Sequence, residues 1–366
     1  DWRESALGSV PGGFLMASML NSVVTNNWIS EIHHNWFLLA LAFLGVIIIG
    51  NEYQKSLIPI SFVISTSYVA ISLFSFIYFN LFIPWILPIF VFVIGISLFV
   101  SDRSRTSRAD KIRMEQELAT ARMAQESFFP KVVTKRLGIT SLFKPSTECG
   151  GDWWGHFSSD DQHEYIVIAD ATGHGVGAAL VTAMSFATTK TASLLIQGNK
   201  IDPSPLSVLN HINSALSAST SGKTTMTMTV LCFDFNESKI HVANAGHCFP
   251  YLIPKEKFKS RNKFKQLTSA GMPIGMSTEL EIIEKSYDFN EGDKVILFTD
   301  GIYENPDSNG KQWGQRKFNK IINKSSEENS SELVKLLDKA SVIHLNGFPQ
   351  EDDVTLIGID ILKSEK

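Results

Sequence analysis

Five carboxylates in this chain stand where an apolar run meets a turn: Asp152 in GGDWWG, Asp170 in YIVIADATGHG, Asp300 in VILFTDG, and Asp352 and Asp353 in EDDVTLIGI. Carboxylate oxygens are hard donors, and several of them meeting at one sheet edge suit Mg²⁺ or Mn²⁺. Two such ions about 4 Å apart share one water and lower its pKa. The hydroxide so formed attacks phosphorus in line near neutral pH, with no serine or cysteine nucleophile required. Gly150, Gly151, Gly173 and Gly175 lie beside these acids and let backbone approach a metal or a phosphate. Taken singly, each acid reads first as a bland residue: Asp300 as a turn, Asp352 and Asp353 as a strand cap, and Asp152, after two glycines, as part of a loop. Their recurrence at strand ends is what points to a site.

The elements that must position these acids are legible in outline. Glu164 to Asp170 reads as a buried strand, and Val176 to Gln197 as a helix rich in Ala and Thr that can pack close to a sheet. A second helix is expected over Pro205 to Ser219. Thr224 to Phe235 alternates with period two and joins Lys239 to Gly246 through an Asn-Glu-Ser turn, as a hairpin does. Gly292 to Gly301 is a further strand, helices follow near 314–324 and 331–344, and Asp352 to Leu362 closes the chain as a strand. Hairpins outnumber βαβ units, which predicts antiparallel sheets with helices outside them.

The ordered blocks ECGGDWWG, IADATGHGVGAAL, NAGHCFPYL, GMPIGM, VILFTDGIYE and EDDVTLIGI resemble the SpoIIE/RsbU-type branch of the metal-dependent PPM (PP2C-like) serine/threonine phosphatases. The preceding ELATARMAQESFFP is similar to the helix that commonly leads into that domain. The resemblance runs from Glu117 to Leu362. It implies an α+β fold, the PP2C-like α-β-β-α sandwich of two antiparallel sheets flanked by helices. It implies two Mn²⁺ or Mg²⁺ ions, with Asp170 as bridging ligand and Asp152, Asp300, Asp352 and the Ala171 carbonyl as the others. Asp353 stands next to Asp352 as the alternative ligand. Asp170 and Asp300 are the implied catalytic residues, and Gly151, Gly173, His174 and Gly175 the implied substrate-binding loop. Gly155 stands where the family often has a further acid. His174, Asn244 and His247 are expected to shape the site rather than carry protons. The implied substrate is phosphoserine or phosphothreonine on a small anti-sigma-antagonist-like STAS protein.

The other half of the chain is of a different kind. Among 366 residues the net charge is only −4, which does not suggest a nucleic-acid partner, for which a basic surface is expected. Cys149, Cys232 and Cys248 lack disulfide or zinc spacing and read as small buried residues. The charge is unevenly placed, with none from Leu57 to Ser101. A helical span needs about 20 apolar residues. Leu57 to Phe79 and Leu81 to Val100 meet that length, with Asn80 as the tip between them. Trp36 to Gly50 reaches it by recruiting its flanks. Trp36, Tyr78 and Trp85 fall near the expected interfaces, and Pro84 and Pro88 in the first turns of the third span. Arg103, Arg105, Arg108, Lys111 and Arg113 follow the third span, whereas only Arg3 precedes the first. The positive-inside rule then puts the catalytic half in the cytoplasm and Asp1 outside.

The domains expected are thus an extracytoplasmic segment at 1–34, three transmembrane helices at 35–101, a linker helix at 102–130 and the phosphatase at 131–366. Val10 to Ile29 resembles the closing segment of CHASE2 sensor domains. With no methionine at its start, the chain reads as a fragment of a longer protein in the bacterial cytoplasmic membrane, in contact with the lipid bilayer. Within the linker, Met114, Leu118, Ala121 and Phe128 follow a heptad stripe interrupted by Gln125. That pattern predicts either a homodimeric coiled coil over 108–129 or one amphipathic helix packed on its own domain.

Three other readings compete. DATGHGVG echoes the D-x-G-x-G box of histidine kinases, but no phospho-accepting histidine lies on the linker and no asparagine-rich helix precedes Asp170. A nucleotide cyclase lacks its metal-binding strand pattern here. An inactive scaffold of the same fold conflicts with the full set of acids.

Overall fold

The computed structural model describes residues 2–5, 8–25, 30–31, 57–79, 81–82, 86–131, 134–173, 175–220, 224–256 and 262–363. The first expected span, the Asn80 tip, Trp36, Pro84, Trp85 and His174 lie outside the described residues. The chain divides into two compact units, Asp1–Arg113 and Met114–Lys366.

In the first unit, β1 (Trp2–Ser5) and β2 (Gly8–Pro11) form an antiparallel hairpin, followed by α1 (Gly12–Thr25). β3 (Ser30–Glu31) pairs in parallel with β4 (Leu81–Phe82). Between them runs α2 (Leu57–Phe79), 23 residues and about 34 Å long, with no charged residue. Ile71, Leu73, Phe74, Ile77 and Phe79 are exposed on it. α3 (Ile86–Glu126) is a 41-residue helix, of which the residues up to Arg113 belong to this unit and those from Met114 to the second. It begins five residues later than the expected third span, with Pro88 in its first turn, where a missing N–H costs nothing. The boundary expected between span and linker at 101/102 is not a helix break.

The second unit is a sandwich of two five-stranded antiparallel sheets. One has the order β11-β10-β13-β14-β5 and the other β12-β9-β8-β7-β6. In chain order the strands are β5 (Leu137–Lys144), β6 (Asp152–Ser158), β7 (His163–Ala171), β8 (Met226–Asp234), β9 (Lys239–Ala245), β10 (Tyr251–Ile253), β11 (Lys265–Gln266), β12 (Lys285–Asp288), β13 (Lys294–Phe298) and β14 (Val354–Ile361). α4 (Val176–Gln197) and α5 (Pro205–Thr220) cover the β6–β9 sheet. α6 (Gly301–Glu304), α7 (Gln315–Lys324) and α8 (Ser330–Leu345) cover the other. β5 and β6 carry no marked apolar alternation and were not expected as strands; Asp152, expected in a loop, opens β6.

Period-two alternation sorts the side chains. On β7, Tyr165, Val167 and Ala169 turn outward to α4 and α5, while Ile166 and Ile168 turn inward between the sheets. There they meet Leu231 and Phe233 of β8 and Val295, Leu297, Ile357 and Ile359 of the facing sheet. Each such fully buried side chain contributes about 1.5–3 kcal/mol. Continued to one end of the sandwich, the inward rows change character. They become Asp152, Asp170, Thr227, Asn244, Thr299 and Thr355. The apolar interlayer ends in a polar edge, which is where the site lies.

The linker stripe is spent on its own domain toward its end. Met114 is 65% exposed, Leu118 and Ala121 are half-buried, and Gln125 is only 3% exposed. Phe128 stacks on Phe186 of α4 at 5.0 Å.

Candidate metal centre

Asp152 and Asp170 are register partners across the β6–β7 ladder. Asp152 is buried. Its Oδ2 accepts hydrogen bonds from the hydroxyls of Thr299 and Thr355, both at 2.7 Å, across the gap between the sheets. Thr299 Oγ1 in turn accepts from the Thr355 amide at 2.9 Å. One carboxylate of the first sheet edge is thereby tied to the strand that ends in Asp300 and to the strand that follows Asp352.

Gly301 and Gly151 allow the approach. A Cβ on Gly301 would stand 2.0 Å from the Asp353 carbonyl oxygen, so only glycine lets the Asp300 turn lie against the start of β14. A Cβ on Gly151 would stand 2.9 Å from the carbonyl oxygens of both Ala171 and Gly173. Gly173 and Gly175 have φ of 92° and 81°. Their role is this left-handed backbone rather than close packing, since open space surrounds both.

The electrostatics are those of crowded like charge. Burial pushes the Asp170 carboxyl up to about 7, and the charges of Asp300, Asp352 and Asp353 add to the rise. Burial likewise holds Asp152 well above the ordinary carboxylate range, with Asp170 as the next cause and the two threonine hydroxyls opposing. Every charge acting on Asp170 or Asp152 is negative. Glu304, one helical turn beyond Asp300, belongs to the same cluster. Its carboxyl is raised by burial and then by Asp300 and Asp352. It was not singled out from the sequence, although the i,i+4 spacing in DGIYE is a usable signal.

The structure separates Asp352 from Asp353. Asp353 is buried, and both its oxygens are engaged. Oδ1 accepts from the Ser146 amide at 2.6 Å and its hydroxyl at 3.0 Å; Oδ2 accepts from the Gly151 amide. Asp353 therefore buckles the 146–151 loop to β14. Asp352 is exposed toward the acid cluster, one oxygen accepting from the Asp353 amide. Gln125, the polar break in the linker stripe, donates to the Gly150 carbonyl at 2.6 Å and accepts from the Gly150 amide at 3.1 Å.

Neither His247 nor Cys248 offers a nucleophile or base. His247 Nδ1 lies 2.8 Å from Thr227 Oγ1, and Thr227 is the register partner of Asp170 on β8. Burial lowers the ring's pKa to about 4, so it is neutral. Asn244 holds the turn that carries it, bonding both the His247 amide and its carbonyl at 2.9 Å. The Cys248 thiol, 3.3 Å from the Tyr303 hydroxyl, is pushed up to about 12 by burial. Among the described residues, the group whose ligand-type atoms lie within 4.8 Å of one another is a different one, Asp234, Glu237 and His241, at the far end of the β7–β8 ladder. Its members are engaged with the Asn236 amide, Lys239 and Ser286 respectively.

The family model for stage II sporulation protein E matches residues 160–362, more than half of the chain. The chain belongs to the SpoIIE family. Among curated relatives, phosphoserine phosphatase RsbU of Bacillus subtilis is 26% identical over 255 residues, covering 69% of this chain and 72% of that protein. Phosphoserine phosphatase RsbP of the same organism is 28% identical over 200 residues, covering 53% of this chain but only 47% of that protein. Among solved structures, the SiaA-PP2C domain of Pseudomonas aeruginosa superposes with a TM-score of 0.59 at 20% identity, covering 69% of this chain and 98% of that domain. The fold of this SpoIIE-family unit is thus the PP2C fold, α+β with two antiparallel sheets flanked by helices.

Proposed function

We propose that this chain is a metal-dependent phosphoprotein phosphatase that hydrolyses phosphoserine or phosphothreonine monoesters. The observation that carries the reading is the gathering of carboxylates at one polar edge: Asp152 opposes Asp170 across the ladder, and Asp300 and Asp352 lie close enough to raise Asp170 further. An all-oxygen donor set of crowded negative charge fits a hard divalent cation, Mn²⁺ or Mg²⁺. Asp152, Asp170, Asp300 and Asp352 would hold such ions, and the Ala171 carbonyl, beside Gly151, would add a neutral oxygen.

When bound, such ions supply Lewis acidity toward water and toward phosphoryl oxygens. The chain supplies the rest. Thr299 and Thr355 hold Asp152 in one orientation. Asp353 pins the loop before it. Gly173 and Gly175 take the positive φ that this loop requires beside Asp170. Neutral, buried His247 is committed to Thr227 and is a poor proton carrier at neutral pH.

The substrate we propose is a small STAS-domain phosphoprotein; the support is the motif resemblance and the phosphoserine phosphatases among the relatives. The proposed setting is the bacterial cytoplasmic membrane, with the catalytic unit cytoplasmic and the amino-terminal, CHASE2-like segment outside. Its support is the uncharged α2 and the basic cluster Arg103 to Arg113. A homodimer through 108–129 belongs to the same proposal.

Phosphate release from a phosphoserine protein tests the catalytic reading. Release should require Mn²⁺ or Mg²⁺ and stop in chelator. Equal rates for the wild type and Asp170→Asn would overturn it.

A further inference from the structure

Asn305 is 3% exposed and ends the short turn that Asp300 begins. Its amide Nδ2 donates to the Gly301 carbonyl at 2.7 Å and to the Asp352 carbonyl at 3.0 Å. Its Oδ1 accepts from the amides of Glu351 and Asp352, both at 2.8 Å. An asparagine side chain offers two donors and one oxygen with two lone pairs, so all four of its bonds are made. The orientation is determined as well. With oxygen and nitrogen exchanged, the NH₂ would face two N–H groups and the oxygen two carbonyls.

The pattern is more than a helix cap. Asp352 is gripped at both its N–H and its C=O by one side chain, which fixes the peptide planes on either side of its Cα. The direction of its Cα–Cβ bond follows. The same amide holds the Gly301 carbonyl, next to Asp300. Two acids 52 positions apart in the chain are therefore referred to one rigid planar group. Gln350 adds one bond to the Asp352 carbonyl, at 2.7 Å, but does not reach the Asp300 turn.

We propose that Asn305 is a positioning residue that sets Asp352 against Asp300 and thereby determines how tightly the divalent cation is held. The inference rests on the phosphatase reading above. Asn305 touches neither the ion nor the substrate; it acts through the backbone of a ligand.

The test uses the full chain, with free Mn²⁺ followed by its electron paramagnetic resonance signal and phosphate release followed against Mn²⁺ concentration. Loss of a group that orients a metal ligand typically weakens binding about 10- to 100-fold. Asn305→Ala should show that loss, with its rate recovering toward wild type at saturating Mn²⁺. Asn305→Asp has the same shape and keeps the acceptor half, so it should fold where the alanine variant does not, and it should also bind Mn²⁺ more weakly than wild type. Wild-type Mn²⁺ affinity in either folded variant, even with a lowered melting temperature, would overturn the proposal and leave Asn305 a structural tie. Failure of the wild type itself to bind Mn²⁺ or release phosphate would instead strike the phosphatase reading.

Discussion

Asp152 and Asp170 stand directly opposite one another on neighbouring antiparallel strands, both turned into the space between the sheets. Like charges so placed destabilise a ladder. Here the cost is increased by burial and lessened by two threonine hydroxyls on the first acid alone. A like-charged pair at the end of an otherwise apolar layer is what the proposed cation site would relieve.

Removing metal should expose that cost as a pH dependence. Asp170 in the folded chain titrates at about 7, far above its ordinary 3.8. A raised folded pKa contributes stability that is complete below the unfolded value and is lost as pH rises through the folded one. Metal-free protein should therefore lose thermal stability between about pH 4 and 7. Asp170→Asn should flatten the profile in that window. Mn²⁺ must also displace this proton, so affinity should rise up to about tenfold per pH unit below pH 7 and then level off. Titrations at pH 5.5, 6.5 and 7.5 check it.

His247 acts in the opposite sense. Its folded pKa, about 4, lies below the ordinary 6.5. The unfolded chain takes up the proton first, so stability falls as pH drops from about 6.5 toward 4. In His247→Gln that acid-side decline should be smaller, measured by melting temperature in saturating Mg²⁺ to suppress the Asp170 effect.

Thr299→Val and Thr355→Val each remove one of the two hydroxyls on Asp152 Oδ2. Each should cost about 1–3 kcal/mol in denaturant unfolding, the usual penalty for a buried acceptor that loses a donor. Because both hydroxyls serve one oxygen, the double variant should not be additive. Loss of Asp152 orientation should also lower the apparent Mn²⁺ affinity in both.

Gln125→Leu should uncouple the linker from the loop before Asp152. It leaves the Gly150 N–H and C=O without their partners. We expect a fall in phosphate release at limiting Mn²⁺ larger than the fall at saturating Mn²⁺. Equal loss at both concentrations would mean that the glutamine only stabilises the fold.

Gly301→Ala places a Cβ 2.0 Å from a backbone oxygen that cannot move without β14. It should abolish metal-dependent activity and lower the melting temperature by several degrees, whereas Gly138→Ala, whose Cβ would meet only ordinary contacts from 3.5 Å, should leave activity unchanged.

Much of the frame was legible in one dimension. The run that makes β7, the helix Val176–Gln197 and the hairpin β8–β9 follow from periodicity and turn residues, within a residue or two. The acids at Asp170, Asp300 and Asp352 stood out because each interrupts an apolar run. Asp152 was harder: two glycines before it argue for a loop, and only pairing with β7 makes it the first residue of a strand. Gln125 read as a flaw in a heptad and is instead a buried tie to Gly150. Asn305 and Thr355 carried no signal at all.

The division follows from the range of the interactions. Composition, period-two alternation and the glycine-acid motifs are local; they sufficed for antiparallel sheets with outer helices and for the acids eligible for a site, while the PP2C-like sandwich was implied by the family resemblance of the ordered blocks. Which acid faces the cluster, which one is consumed as a buckle, and what orients each of them depended on partners 25 to 207 residues away. Hydrogen bonds act over about 3 Å, and such partners reach that distance only when the sheets have paired in register and packed face to face.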